Sequence, residues 1–246
     1  MSRAWVVIKR CGRFLKFAFF CLVLTIVIFF AWRVFSTGTP KELKTLTPNE
    51  KLNEAYAQKG DGLYMFTQNY DPITRADRNS GYFSVPSAVF IPDANQAQIV
   101  FRYNNSTLRE VATDYSLDEP LTRGEEHFDV TLVLYLDLTP DNAEDNYETN
   151  SPNVKVVRVH ASQKNEGSST LYNFYRYVFD FESAEVDLSE LMKNKQIIAI
   201  HAQMYYTDDL DYSEEAYGAI CLYDSRMTDR PVELTKADKK IFKEDN

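Results

Sequence analysis

The hydropathy pattern changes character twice along the chain. Residues 17–32 carry no charged side chain, and eleven of the sixteen are Leu, Ile, Val or Phe. They are apolar on every face, whereas a helix at the surface of a soluble protein keeps a polar side. The pattern therefore predicts a membrane helix. At about −0.3 to −0.6 kcal/mol for each such residue at a helix centre, the eleven contribute roughly −3 to −7 kcal/mol to insertion. Sixteen residues at about 1.5 Å each are short for a hydrocarbon core of about 30 Å. Phe14, Leu15, Val34 and Phe35 lengthen the stretch, with Lys16 and Arg33 reaching to the two interfaces and Trp32 in the interfacial belt. Residues 17–35 are read as a signal anchor and residues 1–16 as a cytoplasmic tail. The rival, a cleaved signal peptide, wants small side chains at its exit, and here the exit is Ala31-Trp32-Arg33-Val34-Phe35.

Residues 36–60 read as a polar linker or stalk with one short helix, in which Thr47 caps, Pro48 takes the first helical position and Glu50 completes a capping box. From residue 61 onward the texture becomes short runs of Val, Ile, Phe, Tyr and Thr between Asn, Asp, Gly and Pro, the pattern of strands. Residues 127–138 alternate most clearly, with Phe128, Val130, Leu132, Leu134, Leu136 and Leu138 on one face. Similar runs at 63–67, 87–91, 97–103, 109–115, 154–161, 171–181, 197–207 and 219–223 bring the expectation to about nine strands. Asp187, Ser189 and Glu190 open a short helix, and Thr235 with Asp238 caps a last one. Strand after strand with few helices predicts a mainly β fold, an antiparallel β-sandwich over residues 61–246.

Charge then sets orientation and excludes partners. Arg3, Lys9, Arg10, Arg13 and Lys16 precede the apolar segment, and residues 1–35 contain no Asp or Glu. The positive-inside rule puts the N-terminus in the cytoplasm and the main domain outside, on a single-pass protein of the cell membrane. Taking six basic residues, these five and Arg33, from 27 leaves 21 against 36 acidic ones, so residues 36–246 carry about −15. Such a field repels nucleic acid. Cys11 and Cys21 lie in the tail and the membrane segment, leaving Cys221 alone in the domain, where no internal disulfide can form.

Candidate chemistry is sparse. No Gly-x-Ser-x-Gly, His-Glu-x-x-His, Gly-x-x-x-x-Gly-Lys or Cys-x-x-Cys motif occurs. His127, His160 and His201 fall on expected strands, where a pair meeting across strands would hold a metal or act as a base. Acidic loops at Asp208, Asp209, Asp211, Glu214, Glu215 and at Asp141, Glu144, Asp145, Glu148 offer oxygens for calcium, without the EF-hand spacing. His201, Gln203 and Tyr205 share one side of a strand. Phe174 and Arg176 share another, while Tyr175, Tyr177, Phe179 and Phe181 point to the core. Both sides are candidate ligand faces. Asn104-Asn105-Ser106-Thr107 holds two overlapping glycosylation sequons, or simply a turn. The expectation is a membrane-anchored, non-enzymatic interaction module that needs no cofactor and binds an envelope protein or glycan. The alternatives are a tethered hydrolase using carboxylates or histidine, and a calcium-stabilised adhesion module.

Overall fold

The computed structural model describes residues 3–68, 83–122, 127–138, 153–206 and 216–244. The first element, α1 (Arg3–Thr37), contains the apolar window Leu15–Trp32, of mean hydropathy 2.4, none of which is buried. Thirty-five residues reach about 52 Å. The helix is long and apolar enough to cross a membrane.

The rest is built on one antiparallel sheet of nine strands: β1 (Phe66–Thr67), β2 (Phe83–Ile91), β3 (Gln96–Asn104), β4 (Phe128–Asp137), β5 (Val154–Ser168), β6 (Tyr172–Asp180), β7 (Ile197–Tyr206), β8 (Gly218–Asp224) and β9 (Arg230–Pro231). Their order is β8-β7-β4-β5-β6-β3-β2-β1-β9. β5 decides the shape. From Val154 to His160 it pairs with β4, and from Ala161 to Ser168 it pairs with β6. The register slips at the change of partner, where the Ser162 hydroxyl donates to the Val178 carbonyl at 3.1 Å. An extra residue in one strand bends it and increases its twist, and the sheet curls here.

The curl brings together residues far apart in strand order. Phe83 on β2 meets Phe128 on β4 edge to face at 5.1 Å, although β5, β6 and β3 lie between those strands. Around them the inward positions of both halves form one core, including Phe90, Ile99, Phe101, Leu132, Leu134, Tyr177, Phe179 and Ile200. The ends of the sheet are tied by Gln68, whose side-chain oxygen accepts from the Asp224 amide at 2.8 Å while its nitrogen donates to Asp229 at 2.7 Å. Tyr223 on β8 meets Phe66 on β1 at 6.1 Å and Phe90 on β2 at 6.2 Å.

Among the described residues four short α-helices complete the body: α2 (Glu50–Lys59), α3 (Asn105–Asp114), α4 (Leu188–Lys193) and α5 (Lys236–Glu244). Two expectations need correction. Residues 109–114 are helical, with Tyr115 as the C-cap, because Asn104 accepts from the amides of Ser106 and Thr107 in a capping box and Leu108 and Val111, three apart, are buried in the core. Local capping outweighs the β-branched residues there. In α2 the cap is Asn49, accepting from Leu52 at 2.9 Å, because Thr47 is drawn onto the sheet. The caps expected at Asp187 and at Thr235 with Asp238 are present.

Phe179 is fully buried. Truncation to Ala should cost about 3–5 kcal/mol in chemical denaturation of the full chain, against less than about 0.5 kcal/mol for Ala at exposed Leu138.

Candidate functional site

The curled sheet has two outer faces, and they are treated differently. On the β3–β6 half, the segment joining α1 to α2 is strapped across the strands. A 3-10 turn at Lys41–Leu43 sets Leu43 onto Val100 and Phe174. Gly167 admits it, since a Cβ there would come within 2.9 Å of the Leu43 side chain. Gln98 then acts as a substitute strand neighbour, accepting from the Thr47 amide at 2.7 Å and donating to the Thr47 carbonyl at 2.8 Å. Asn165 donates to the Thr47 hydroxyl at 2.6 Å, and Asn49 and Gln96 exchange amide hydrogen bonds at 3.0 and 3.3 Å. From the C-terminal side, Asp238 accepts from the Leu46 amide at 2.7 Å. α2 and α5 cover the neighbouring strands through Leu52, Ala55 and Phe242, packed with Val89 and Ile91.

Phe174 and Arg176, expected on an open ligand face, lie beneath this strap at 0% and 3% exposure. Arg176 donates to the Leu43 carbonyl at 2.6 Å and to Gln98 at 3.3 Å, while its Nε has no partner. Burial pulls its pKa down to about 10, opposed by the charge of Asp238. The guanidinium is a cation at neutral pH, neutralised by no direct carboxylate contact among the described residues. Its bond to a main-chain carbonyl fixes the strap instead. Residues 40–59, expected as a stalk standing off the domain, are thus seated on it.

The other outer face, on β4, β5, β7 and β8, has no described helix laid across it. His201 sits opposite Val133 on one side and Cys221 on the other. Gln203 is opposite Thr131, and Tyr205 opposite Asp129, with the Tyr205 hydroxyl donating to Gln203 at 2.7 Å. The Tyr135 ring meets His201 at 5.1 Å. His201, Gln203 and Tyr205 are therefore neighbours, but Tyr205 is buried at 4% exposure, so only His201 and Gln203 of the expected ligand face are partly open; cross-strand pairing adds Tyr135, Arg158, His160 and Cys221. Those additions depend on register, which no local signal in the sequence encodes.

The electrostatics of this face leave its thiol and imidazole uncharged. Burial lowers the His201 pKa, against the pull of Asp224, and burial raises the Cys221 thiol to about 11. Both groups are neutral at physiological pH, the opposite of a thiolate beside an imidazolium. Burial also raises the Tyr135 pKa. His160 and His201 do not meet, because β4 stands between them. His127 is nearly buried, its Nε2 2.7 Å from the Thr122 carbonyl. Both acidic loops fall outside the described residues, and among those described no three His, Cys, Asp or Glu converge as metal ligands.

A third feature is a polar cleft of about 270 Å³ at the start of α2, lined by Asn49, Lys51, Gln96, Gln163 and Asp180 among others. Lys51 bridges Asp180, at 2.7 Å, and Glu182. Burial acts against its charge, but the hydrogen bonds to the two carboxylates raise its pKa overall.

Comparisons with protein-family models, with curated proteins and with solved structures returned no match.

Two measurements check this geometry. Gln98→Ala leaves the buried amide and carbonyl of Thr47 unpaired, so the protein should lose about 2–4 kcal/mol, and amide exchange at Thr47 should accelerate well beyond that of core strands. Because the folded pKa of His201 lies below its unfolded value, its neutral form is favoured by folding. That contribution is complete above about pH 6.5 and is lost as pH falls toward the lower folded value. Melting temperature should drop between about pH 7 and pH 5, and His201→Gln should flatten that drop.

Proposed function

We propose that the protein is a single-pass, membrane-anchored interaction module, and that the outer face of β4, β5, β7 and β8 recognises a protein of the same envelope. In this reading the chain is a signal anchor with its N-terminus in the cytoplasm, and the curled sheet works outside the cell as a β-sandwich with one face spoken for. The observation that carries it is the asymmetry of the two outer faces. One is closed by residues 40–59 and α5, while the other carries Tyr135, His201 and Gln203 only partly covered. Aromatic and polar side chains held in register on rigid strands supply contact area at little entropic cost.

The acidic body supports a partner with a basic or mixed face and disfavours polyanions. The protonated Cys221 thiol speaks against a cysteine nucleophile on this face. A glycan ligand is a second reading, favoured by the amide and carboxylate lining of the cleft between α2 and β6.

The test is site-specific photo-crosslinking in native membranes, with the probe at Tyr135, Gln203 or, on the covered side, at exposed Glu54 of α2. Tyr135 and Gln203 should capture the same protein, Glu54 should not, and replacing residues 14–35 by an unrelated membrane helix should leave the capture intact. Capture from Glu54 alone, or loss of capture on replacing the helix, would move the interface to the other side or into the bilayer.

A further inference from the structure

We infer that the hairpin joining β5 to β6, with the start of the strap, is a foot that rests on the lipid headgroups of the membrane holding α1. The inference rests on the reading of α1 as a membrane anchor. The chain leaves α1 at Thr37, and Pro40 already touches the space beside Gly167, at 3.3 Å from where a Cβ would stand. Three residues reach about 10 Å at most. The five helical residues beyond Trp32 add about 7.5 Å. Pro40, which touches the space beside Gly167, thus lies within about 18 Å of the level of Trp32 along the chain.

The direction of the strap says which end of the body faces the bilayer. Leu43 sits by Phe174 and Val100, Thr47 is held by Gln98, and Asn49 by Gln96. In register, Gln98 is opposite Val178 and Gln96 opposite Asp180, whereas Arg102 is opposite Phe174 and Asn104 opposite Tyr172. The chain therefore runs from the Tyr172 end of the sheet toward the Asp180 end. α1 departs from the Tyr172 end, where the β5–β6 hairpin turns.

That end is chemically suited to an interface. Leu171 is 41% exposed at the turn, Ser168 and Thr170 beside it are exposed, and the Arg102 guanidinium lies 4.7 Å over the Tyr172 ring. Lys41 and Lys44 are exposed on the strap, against Glu42, and Glu166 is paired with Lys164 at 3.7 Å. An apolar tip, an interfacial tyrosine and long cationic side chains are the groups that sit well at the headgroup layer. On a body of about −15, the strap and hairpin place Lys41, Lys44, Arg102 and Lys164 against Glu42 and Glu166, a local excess of cations that anionic lipid tolerates.

The proposal can be tested on the full chain with its three cysteines replaced by serine, reconstituted in nanodiscs of phosphatidylcholine and phosphatidylglycerol. A nitroxide is placed at Leu171→Cys, at Thr170→Cys as a second reporter of the same turn, at Met227→Cys near the other end of the strands, and at Phe29→Cys within α1. Collision rates with oxygen, which prefers lipid, and with a water-soluble nickel chelate give depth. Positions 170 and 171 should show an oxygen-to-nickel ratio several-fold above that of position 227 and below that of position 29. If position 29 is lipid-like while 170 and 171 match 227, the foot is refuted and the anchor stands. If position 29 is itself water-exposed, the anchor reading fails and the foot with it. Low collision with both reagents at 170 and 171 would mean protein cover, and would equally overturn contact with lipid.

Discussion

The body depends on a strand that changes partner half-way along its length. Up to His160, β5 belongs with β4, and from Ala161 it belongs with β6. Had it kept one partner, the sheet would stay open, and the inward side chains of β2 and β4 would face water. With Ser162 slipped out of register, the two halves turn toward each other and Phe83, Tyr103 and Phe128 meet at 5.0 to 6.5 Å. The aromatic core follows from that bend, since rings of this size bury well only when opposed by others. Tyr103 and Tyr175 join through their hydroxyls at 3.1 Å, and burial raises the Tyr103 pKa.

Curling creates a second constraint. A sheet closed on its own core still has an outer surface, and on the β3–β6 half this surface bears Val100, Phe174 and Val178 beside Gln96, Gln98 and Arg176. The chain that leaves α1 covers it. Main-chain groups of the strap are satisfied by glutamine and arginine side chains in place of another strand, which allows an irregular segment to be buried without unpaired peptide groups. Anchor and body are thereby coupled. Displacing α1 would pull first on Leu43 and on the carbonyl bound by Arg176.

This coupling gives sense to the asymmetry between the two outer faces. One is occupied by residues 40–59, and the opposite one carries Tyr135, His201 and Gln203 partly open. Under the proposed function, a face on a short, seated connection would meet neighbours in the same membrane at high effective concentration. Uncharged His201 and Cys221 would then spare such a contact the larger cost of desolvating a charge.

Period and composition alone determined a good part of this protein. The apolar helix, the alternation in residues 127–138, the inward set Tyr175, Tyr177, Phe179 and Phe181, and the caps at Asp187 and Thr235 all follow from local rules about solvent and hydrogen bonding. The tertiary structure decided what those rules leave open. Residues 109–115 are β-branched enough for a strand, yet 109–114 became helix because the Asn104 cap and the spacing of Leu108 and Val111 fit the end of the core. Residues 40–59 are polar enough for a free stalk, yet are bound because Gln98, Asp238 and Arg176, distant in sequence, present partners at matching positions. For the same reason Phe174 and Arg176 are covered while His201, Gln203 and Tyr205 share a face with Tyr135 and Cys221. Local pattern fixes which side of a strand a residue takes, and only the pairing of strands fixes what lies over that side.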